Sequence, residues 1–316
     1  MNKYVKTILK VLISILLIGF LIYKIGARNI YETILTANPL YIFLVVFIFF
    51  ISFILPAIAL FFLLYPLNHK INIFRLTWFN ILVYAISRFI PGRIGDLSMV
   101  YFLKKEGIPM GKASAIFLVD KGIMFFIHVM FGVFGLFIFF SAKIALQIAS
   151  IIFIMGIIGI ILVMWNKSRS FIKKYILRKH AEKFTGFYKT IISYVRHHKI
   201  YLFFNCVSNI IKNLSFGLMI YLAVGAFLVK NIPNMFIMMI ISSINNIISL
   251  IPITLAGLGA RESISVVMLN ELGINATVTL SAFVILLVIR YVSSALFLLA
   301  YMWIEKKDNI KIIQQN

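Results

Sequence analysis

Two short segments of the chain combine proline, glycine and charged residues within otherwise apolar sequence. The first runs from Arg88 to Asp96 (RFIPGRIGD), and the second runs from Ser249 to Glu262 (SLIPITLAGLGARE). Arginine binds phosphate or carboxylate oxygens through parallel hydrogen bonds, and a helix that starts after a glycine-rich break presents free N–H donors. The chemistry that these segments predict is the binding of an anionic group.

Charged residues in and near the two breaks are the candidate substrate-binding residues. A charge at the centre of a membrane-spanning helix costs about 2.5–3.5 kcal/mol on insertion scales, so ion pairing is an alternative explanation. The candidate pairs are Asp120 with Arg88 or Arg93, and Glu262 with Arg290. Pairing alone does not account for the excess of cations over carboxylates, which favours an anionic ligand. The predicted substrate-binding residues are Arg88, Arg93, Asp96, Asp120, Arg261, Glu262 and Arg290.

Asparagines recur at helical spacing close to the breaks. Asn205, Asn209 and Asn213 repeat every four residues and share one face of a helix, while Asn245 and Asn246 precede the second break. We predict that these five side chains line a cavity. Hydrogen bonding between packed helices is the alternative explanation, and the sequence leaves it open.

Motifs for metal, nucleotide or covalent catalysis are missing from the sequence. The single cysteine, Cys206, has no Cys/His spacing around it, and Gly257-x-Gly259 follows no strand and lacks the P-loop lysine. There is no GxSxG, no HExxH and no two-metal acidic cluster. We therefore expect no metal, no cofactor and no catalytic residue.

Composition indicates a membrane protein. Hydrophobic residues make up 62% of the 316 residues and charged residues only 13%, whereas soluble domains are about half apolar and a quarter charged. A net charge of +22 in a soluble protein would suggest nucleic acid as the partner. Here most basic residues fall in short segments between apolar runs, which is typical of cytoplasmic loops. We expect membrane lipids as partners and no nucleic acid.

The apolar runs predict an all-α polytopic fold. About six runs are long enough to cross a bilayer, which needs about 20 residues. Residues 74–104 and 234–270 are also apolar but are broken near their middle, so we predict two re-entrant helical hairpins. The predicted spans are residues 7–23, 40–65, 113–140, 143–165, 200–229 and 276–304.

The charge distribution sets the predicted orientation. With the N-terminus inside, most Lys and Arg residues outside the spans lie on the cytoplasmic side of the cytoplasmic membrane, including the basic linker at 166–199. Both termini are then cytoplasmic, and the two hairpins enter from opposite leaflets. Asp96 precedes Gly107 by eleven residues, as Glu262 precedes Gly273. These features predict a single transmembrane domain built as an inverted repeat, with halves at about 1–140 and 143–304.

The two breaks together resemble the flippase-like, lysylphosphatidylglycerol synthase transmembrane-region family, the membrane part of the multiple peptide resistance factor. The resemblance rests on residues 91–96 (PGRIGD) and 257–262 (GLGARE), followed by Asp120-Lys121 and Arg290. It implies movement of lipids between leaflets, with aminoacylated phosphatidylglycerol as the lipid in the best-known relatives. Bifunctional relatives add a soluble lysine-transferring domain, and we expect no such activity from this chain.

The leading hypothesis is a flippase or translocase for an anionic or aminoacylated phospholipid, with a cationic cavity between the hairpins. One alternative is an enzyme that modifies lipid headgroups, for which Asp96, Asp120 and Glu262 are the candidate bases. Another is an ion or metabolite transporter on the same scaffold. Assembly as a homo-oligomer or with a lipid-modifying enzyme stays open.

Overall fold

The computed structural model describes residues 3–164, 184–229, 231–250, 254 and 256–315. Most of these residues are helical, and no strand occurs among them. In an apolar environment a segment must satisfy its own backbone hydrogen bonds, and an α-helix does so. The predicted linker at 166–199 lies largely outside the described residues, as does Pro252 in the second break. The α-helices are α1 Lys3–Ile25, α2 Ala27–Leu35, α3 Pro39–Ile51, α4 Ile54–Leu64, α5 Ile73–Phe89, α6 Ser98–Lys105, α7 Met110–Phe139, α8 Ala142–Met164, α9 Phe187–His197, α10 Lys199–Gly225, α11 Met235–Ile248, α12 Ala260–Glu271 and α13 Ala276–Gln315.

Four segments of the described chain are long and apolar enough to cross a membrane. They confirm the all-α, multi-pass class and correspond to four of the six predicted spans. The other two predicted spans, residues 7–23 and 143–165, correspond to α1 and α8. Their apolar stretches among the described residues, Leu16–Ile25 and Ala142–Ile154, are shorter than a candidate span. The four spanning segments are Pro39–Leu67, Met110–Phe139, Lys199–Gly225 and Ala276–Ile304.

The first broken segment folds as a helical hairpin. A 3-10 helix at Pro91–Leu97 separates α5 from α6. The Phe79 and Phe102 rings stack at 5.1 Å between the two arms, and Arg75 Nη2 lies 2.6 Å from Glu106 Oε1 at the open end. The hairpin therefore begins and ends on the same side. Its arms of 17 and 8 residues reach about 26 and 12 Å, less than a bilayer core of about 30 Å.

The second broken segment has the same form. Its arms are α11 and α12, of 14 and 12 residues, which contact each other across the break. Asn245 Nδ2 in α11 donates to Ser265 Oγ in α12 at 2.8 Å, and both side chains are buried. This hydrogen bond fixes the register of the two arms.

The second arm of each hairpin ends in the same Schellman motif. Gly107 and Gly273 take φ values of +81° and +84°, which glycine adopts without steric cost. The isoleucine after each glycine donates its N–H to the carbonyl of the leucine five residues earlier, at 3.3 Å in the first hairpin and 2.8 Å in the second. All four apolar side chains are buried. The two turns are therefore equivalent in backbone and in packing.

The two breaks also share a close backbone approach. A Cβ added to Gly95 would lie 2.7 Å from Ser87 Cα, and one added to Gly257 would lie 2.9 Å from Ser249 Cα. In both hairpins the serine precedes its glycine by eight residues. Only a residue without a side chain allows the chain to fold back at this distance.

The hairpins point in opposite directions along α7. The first hairpin ends just before α7 begins, whereas Phe236 at the start of the second hairpin packs on Phe131 and Phe134 near the other end of α7. Each hairpin also packs on the long helix that follows the other hairpin. Helix α11 of the second hairpin contacts α7, and α5 of the first hairpin contacts α13. Phe102 near the open end of the first hairpin meets Tyr301 toward the end of α13.

Small residues let the central helices approach closely. A Cβ added to Gly217 in α10 would lie 2.7 Å from the backbone nitrogen of Met239 in α11. A Cβ added to Gly135 in α7 would lie 2.6 Å from Ile240 Cγ2. Glycine at such positions is how membrane helices gain packing contacts without a hydrophobic driving force between them. The contacts pack α7, α10 and α11 closely together beside the breaks.

Candidate functional site

A cavity lies between the two breaks and is lined by residues from α3 to α5, α7 and α10 to α13. Its empty space, which includes the open mouth, is about 1010 Å³. Five cationic side chains and one carboxylate line it, among aromatic, aliphatic and small polar side chains. The charged lining residues are Arg88, Asp96, Lys121, Lys212, Arg261 and Arg290.

Arg88 is held by an aromatic neighbour in the last two turns of α5. Its Nη2 donates to the Tyr84 hydroxyl at 2.9 Å, and its guanidinium carbon lies 4.5 Å from the centre of the Tyr84 ring. The spacing of four residues places both side chains on one helix face. A cation over an aromatic face is stabilised by the quadrupole of the ring. Arg88 is thus held at the cavity wall by Tyr84, and no carboxylate of the described residues forms an ion pair with it.

Asp96 lies in the 3-10 helix of the first break. The buried Ser87 hydroxyl donates to Asp96 Oδ1, a contact that depends on the close approach of Gly95 to Ser87. Asp96 is half-buried and lines the cavity. It is the one carboxylate among the described lining residues.

Arg261 and Arg290 are the most buried cations of the cavity, each with about 6% of its surface exposed. Arg261 lies in the first turn of α12, and Arg290 lies about 21 Å along α13, near the middle of its spanning part. Arg290 Nη1 has no hydrogen-bond partner in the described part of the chain. A buried charged donor without a partner is costly, so Arg290 is a strained position of the cavity wall.

Glu262 does not line the cavity. It is buried, and its Oε2 accepts the Gly259 N–H at 2.7 Å, which caps the start of α12. This contact takes the place of the predicted pair with Arg290, because a carboxylate at the N3 position reaches back to the free N–H groups of its own helix. Glu262 therefore shapes the second break and does not face the ligand space.

Asp120 is buried behind the cavity wall rather than in it. Its Oδ1 accepts from Asn205 Nδ2 at 3.0 Å and Asn209 Nδ2 at 3.3 Å, and its Oδ2 lies 3.3 Å from Lys121 Nζ. Asn205 Nδ2 also donates to the Ala59 carbonyl at 2.9 Å. The network joins α4, α7 and α10 and holds Lys121 against the cavity.

The predicted pairing of Asp120 with an arginine is wrong for Arg88, which contacts Tyr84 instead. The side chain of Arg93 lies outside the described residues. Two lining cations, Lys121 and Lys212, were absent from the predicted site. Their positions in the sequence could have identified them, because Lys121 follows Asp120 and Lys212 is next to Asn213 of the asparagine series.

One of the five predicted cavity asparagines, Asn246, lines the cavity. Two others bind Asp120, as described above. Asn213 Nδ2 donates to Ser243 Oγ at 2.7 Å, and Asn245 donates to Ser265. These four follow the alternative explanation of helix-to-helix hydrogen bonding, because a buried amide requires partners and the facing helices supply them.

Comparison with known families identifies one match. The family model described as the lysylphosphatidylglycerol synthase TM region matches residues 7–298. The matched range contains both hairpins and every charged residue that lines the cavity. No curated protein matches the chain.

Proposed function

Because the chain belongs to the lysylphosphatidylglycerol synthase transmembrane-region family, we propose that it moves a lipid with an anionic headgroup between the leaflets of the cytoplasmic membrane. The resemblance that the two breaks indicated is thereby confirmed, and the chain is a multi-pass membrane protein. One observation carries the proposal, namely the five cationic side chains around a cavity between opposed hairpins.

The electrostatics of the cavity support an anionic headgroup. Cations in an apolar segment are costly unless a counter-charge or water compensates them. Asp120 and Glu262, the carboxylates behind the wall, already accept hydrogen bonds from amide or backbone groups. A phosphate in the cavity would supply the missing negative charge, and arginine is suited to bind it through two hydrogen bonds.

Exposed apolar side chains of the first break support a lipid over a soluble anion. The first break exposes Ile90, Ile94 and Leu97 beside the half-buried Asp96 and Arg88. A lipid could place its headgroup among the cations while its acyl chains stay on this apolar tip. An inorganic ion or a small polar metabolite would gain no favourable contact from such a surface.

The repeated hairpins support alternating access to the site. We infer that they are re-entrant from opposite leaflets and belong to two halves of an inverted repeat. The equivalent Schellman turns, the equivalent serine–glycine contacts and the exchanged packing on α7 and α13 all favour this assignment. In inverted-repeat transporters the substrate site lies between broken helices near the membrane midplane.

The test is lipid translocation by the full chain in phosphatidylcholine liposomes that carry a trace of acyl-labelled fluorescent phosphatidylglycerol. A membrane-impermeant reductant bleaches the label in the outer leaflet, so further bleaching measures translocation. We expect the wild type to exceed empty liposomes and Arg290→Gln to be slower by about tenfold, the loss expected for one charged hydrogen bond. Lys143→Gln, an exposed lysine at the start of α8, is the matched control and should behave as wild type.

Two results would reject the proposal. One is a wild-type rate equal to that of empty liposomes for phosphatidylglycerol and also for the other anionic lipids compared below, and the other is an unchanged rate in Arg290→Gln. Lipid extracts of cells that express the chain address the enzymatic alternative, because a headgroup transferase must produce a new lipid. We expect none, since Asp96 is the only carboxylate of the described lining that could act as a base.

A further inference from the structure

The charges in and around the cavity are unbalanced. Five cations line it, against Asp96 in the lining and two buried carboxylates, Asp120 and Glu262, that are each next in sequence to a lining cation. Among the described residues the cavity therefore carries an excess of two positive charges.

The excess is not dispersed in solvent. Arg261 and Arg290 are each about 6% exposed, and Lys121 and Lys212 are partly buried. Repulsion between like charges grows as water is excluded, because the effective dielectric constant falls. The cations also come from five different helices, so they surround the space rather than form one wall.

We propose that the headgroup bound here carries two negative charges on phosphate, as a phosphomonoester or a diphosphate. This inference rests on the proposed function and specifies its substrate class. A phosphomonoester carries a charge of about −1.5 to −2 at pH 7, which matches the excess. A phosphodiester such as phosphatidylglycerol carries one negative charge and leaves one cation uncompensated. Lysylphosphatidylglycerol, whose two amino groups outweigh its phosphate, would add to the excess.

The residues suit the two parts of such a headgroup. Arg88, Arg261 and Arg290 supply planar guanidinium groups that can each bind two phosphate oxygens. Lys121 and Lys212 supply compact point charges from α7 and α10, with Lys121 held in place by Asp120. A phosphodiester offers two terminal phosphoryl oxygens to these donors, whereas a phosphomonoester offers three and a diphosphate offers more.

The experiment compares lipids with identical acyl chains in the same liposomes. Phosphatidic acid provides the phosphomonoester, a lipid diphosphate provides the second source, and phosphatidylglycerol and lysylphosphatidylglycerol provide the contrast. We expect the wild type to translocate phosphatidic acid or the diphosphate at least about tenfold faster than phosphatidylglycerol, with lysylphosphatidylglycerol slowest. Whichever dianionic lipid moves faster identifies the source.

Two substitutions should change the preference in opposite directions. Lys212→Gln lowers the excess to one charge and should reduce the ratio of the phosphatidic acid rate to the phosphatidylglycerol rate by about tenfold. Asp96→Asn raises the excess to three and should increase that ratio. Lys143→Gln, an exposed position that is not part of the cavity lining, should leave the ratio unchanged.

Binding provides a measurement that does not depend on translocation or on the variants. The melting temperature of the wild-type protein in detergent should rise more with phosphatidic acid than with phosphatidylglycerol. Equal rates and equal melting shifts for the two lipids would overturn the dianion inference and leave the proposed function intact. Preference for lysylphosphatidylglycerol would do the same. Failure to move any lipid faster than empty liposomes would instead reject the proposed function.

Discussion

Replacing Asp120 by alanine removes the carboxylate that joins three helices behind the cavity. Two hydrogen bonds from Asn205 and Asn209 are lost, and Lys121 loses the oxygen atom at 3.3 Å. Hydrogen bonds between membrane helices contribute about 0.6 kcal/mol on average and up to about 1.7 kcal/mol. Breaking a buried ion pair costs about 3–5 kcal/mol, which we reduce to roughly 1–2 kcal/mol because the Lys121 side chain is 26% exposed. The expected loss in free energy of unfolding is about 3 kcal/mol.

The assay is reversible unfolding of the purified protein in mixed micelles by added denaturing detergent. Asp120→Asn keeps the size of the side chain and one oxygen acceptor, so its loss in free energy of unfolding should be roughly half that of Asp120→Ala. A double-mutant cycle isolates the contact: Asp120→Ala with Asn205→Ala should show a coupling of about 1 kcal/mol. Asn213→Ala is the matched control, because Asn213 lies on the same helix face but binds Ser243.

Two outcomes of these measurements would contradict the expected role of Asp120. A loss below about 1 kcal/mol for Asp120→Ala would mean that the network contributes little to folding. A coupling to Asn205 no larger than the coupling to Asn213 would mean that the contact itself is not formed. Near-additivity within about 0.5 kcal/mol is expected only for the control pair.

Three further substitutions test the breaks and the basic helix α9. Gly95→Ala should destabilise by about 1–3 kcal/mol in the same assay, because the new Cβ meets Ser87 Cα at 2.7 Å. Gly107→Ala should lose only about 1 kcal/mol, since open space surrounds it and the cost is the φ of +81°. Tyr194→Phe should lose about 1 kcal/mol at pH 7, because its hydroxyl donates to the Leu63 carbonyl. Burial raises the pKa of the Tyr194 phenol above its ordinary value of 10.0. The stabilisation by this hydroxyl is therefore present below pH 10 and is lost as the pH rises further. Above pH 10 the free energy of unfolding should fall less steeply with pH in Tyr194→Phe than in the wild type.

The broken hairpins could be predicted from sequence because their signals are local. Proline and glycine interrupt apolar runs that are then too short to cross a bilayer, and the Gly-Ile pair after each hairpin marks the end of its second arm. The equivalence of the two Schellman turns follows from this local chemistry. The lengths of the apolar runs predicted six spans, and four of them correspond to the candidate spans among the described residues.

The partners of the buried charges could not be predicted in the same way. Asp120 had arginine, lysine and asparagine candidates on several helices, and the choice depends on how α7 and α10 rotate against each other. Glu262 had a partner within its own turn that a search for opposite charges overlooks. Asparagine spacing identified a helix face correctly but left open whether that face meets a cavity or another helix.

Two buried acids stabilise the packing of the helices, whereas five cations line the cavity. The functional proposal depends on this difference. Asp120 and Glu262 face helix ends and amides, where a carboxylate satisfies donors that would otherwise be unpaired in an apolar interior. Of the five lining cations, Lys121 is paired with Asp120, while no described carboxylate forms an ion pair with Arg88 or Arg290. Substitution of either acid should therefore reduce the free energy of unfolding first, whereas substitution of Arg290 or Lys212 should reduce lipid movement while the protein remains folded. If cation variants lost stability and acid variants lost only transport, the cations would be structural and the cavity would need another ligand.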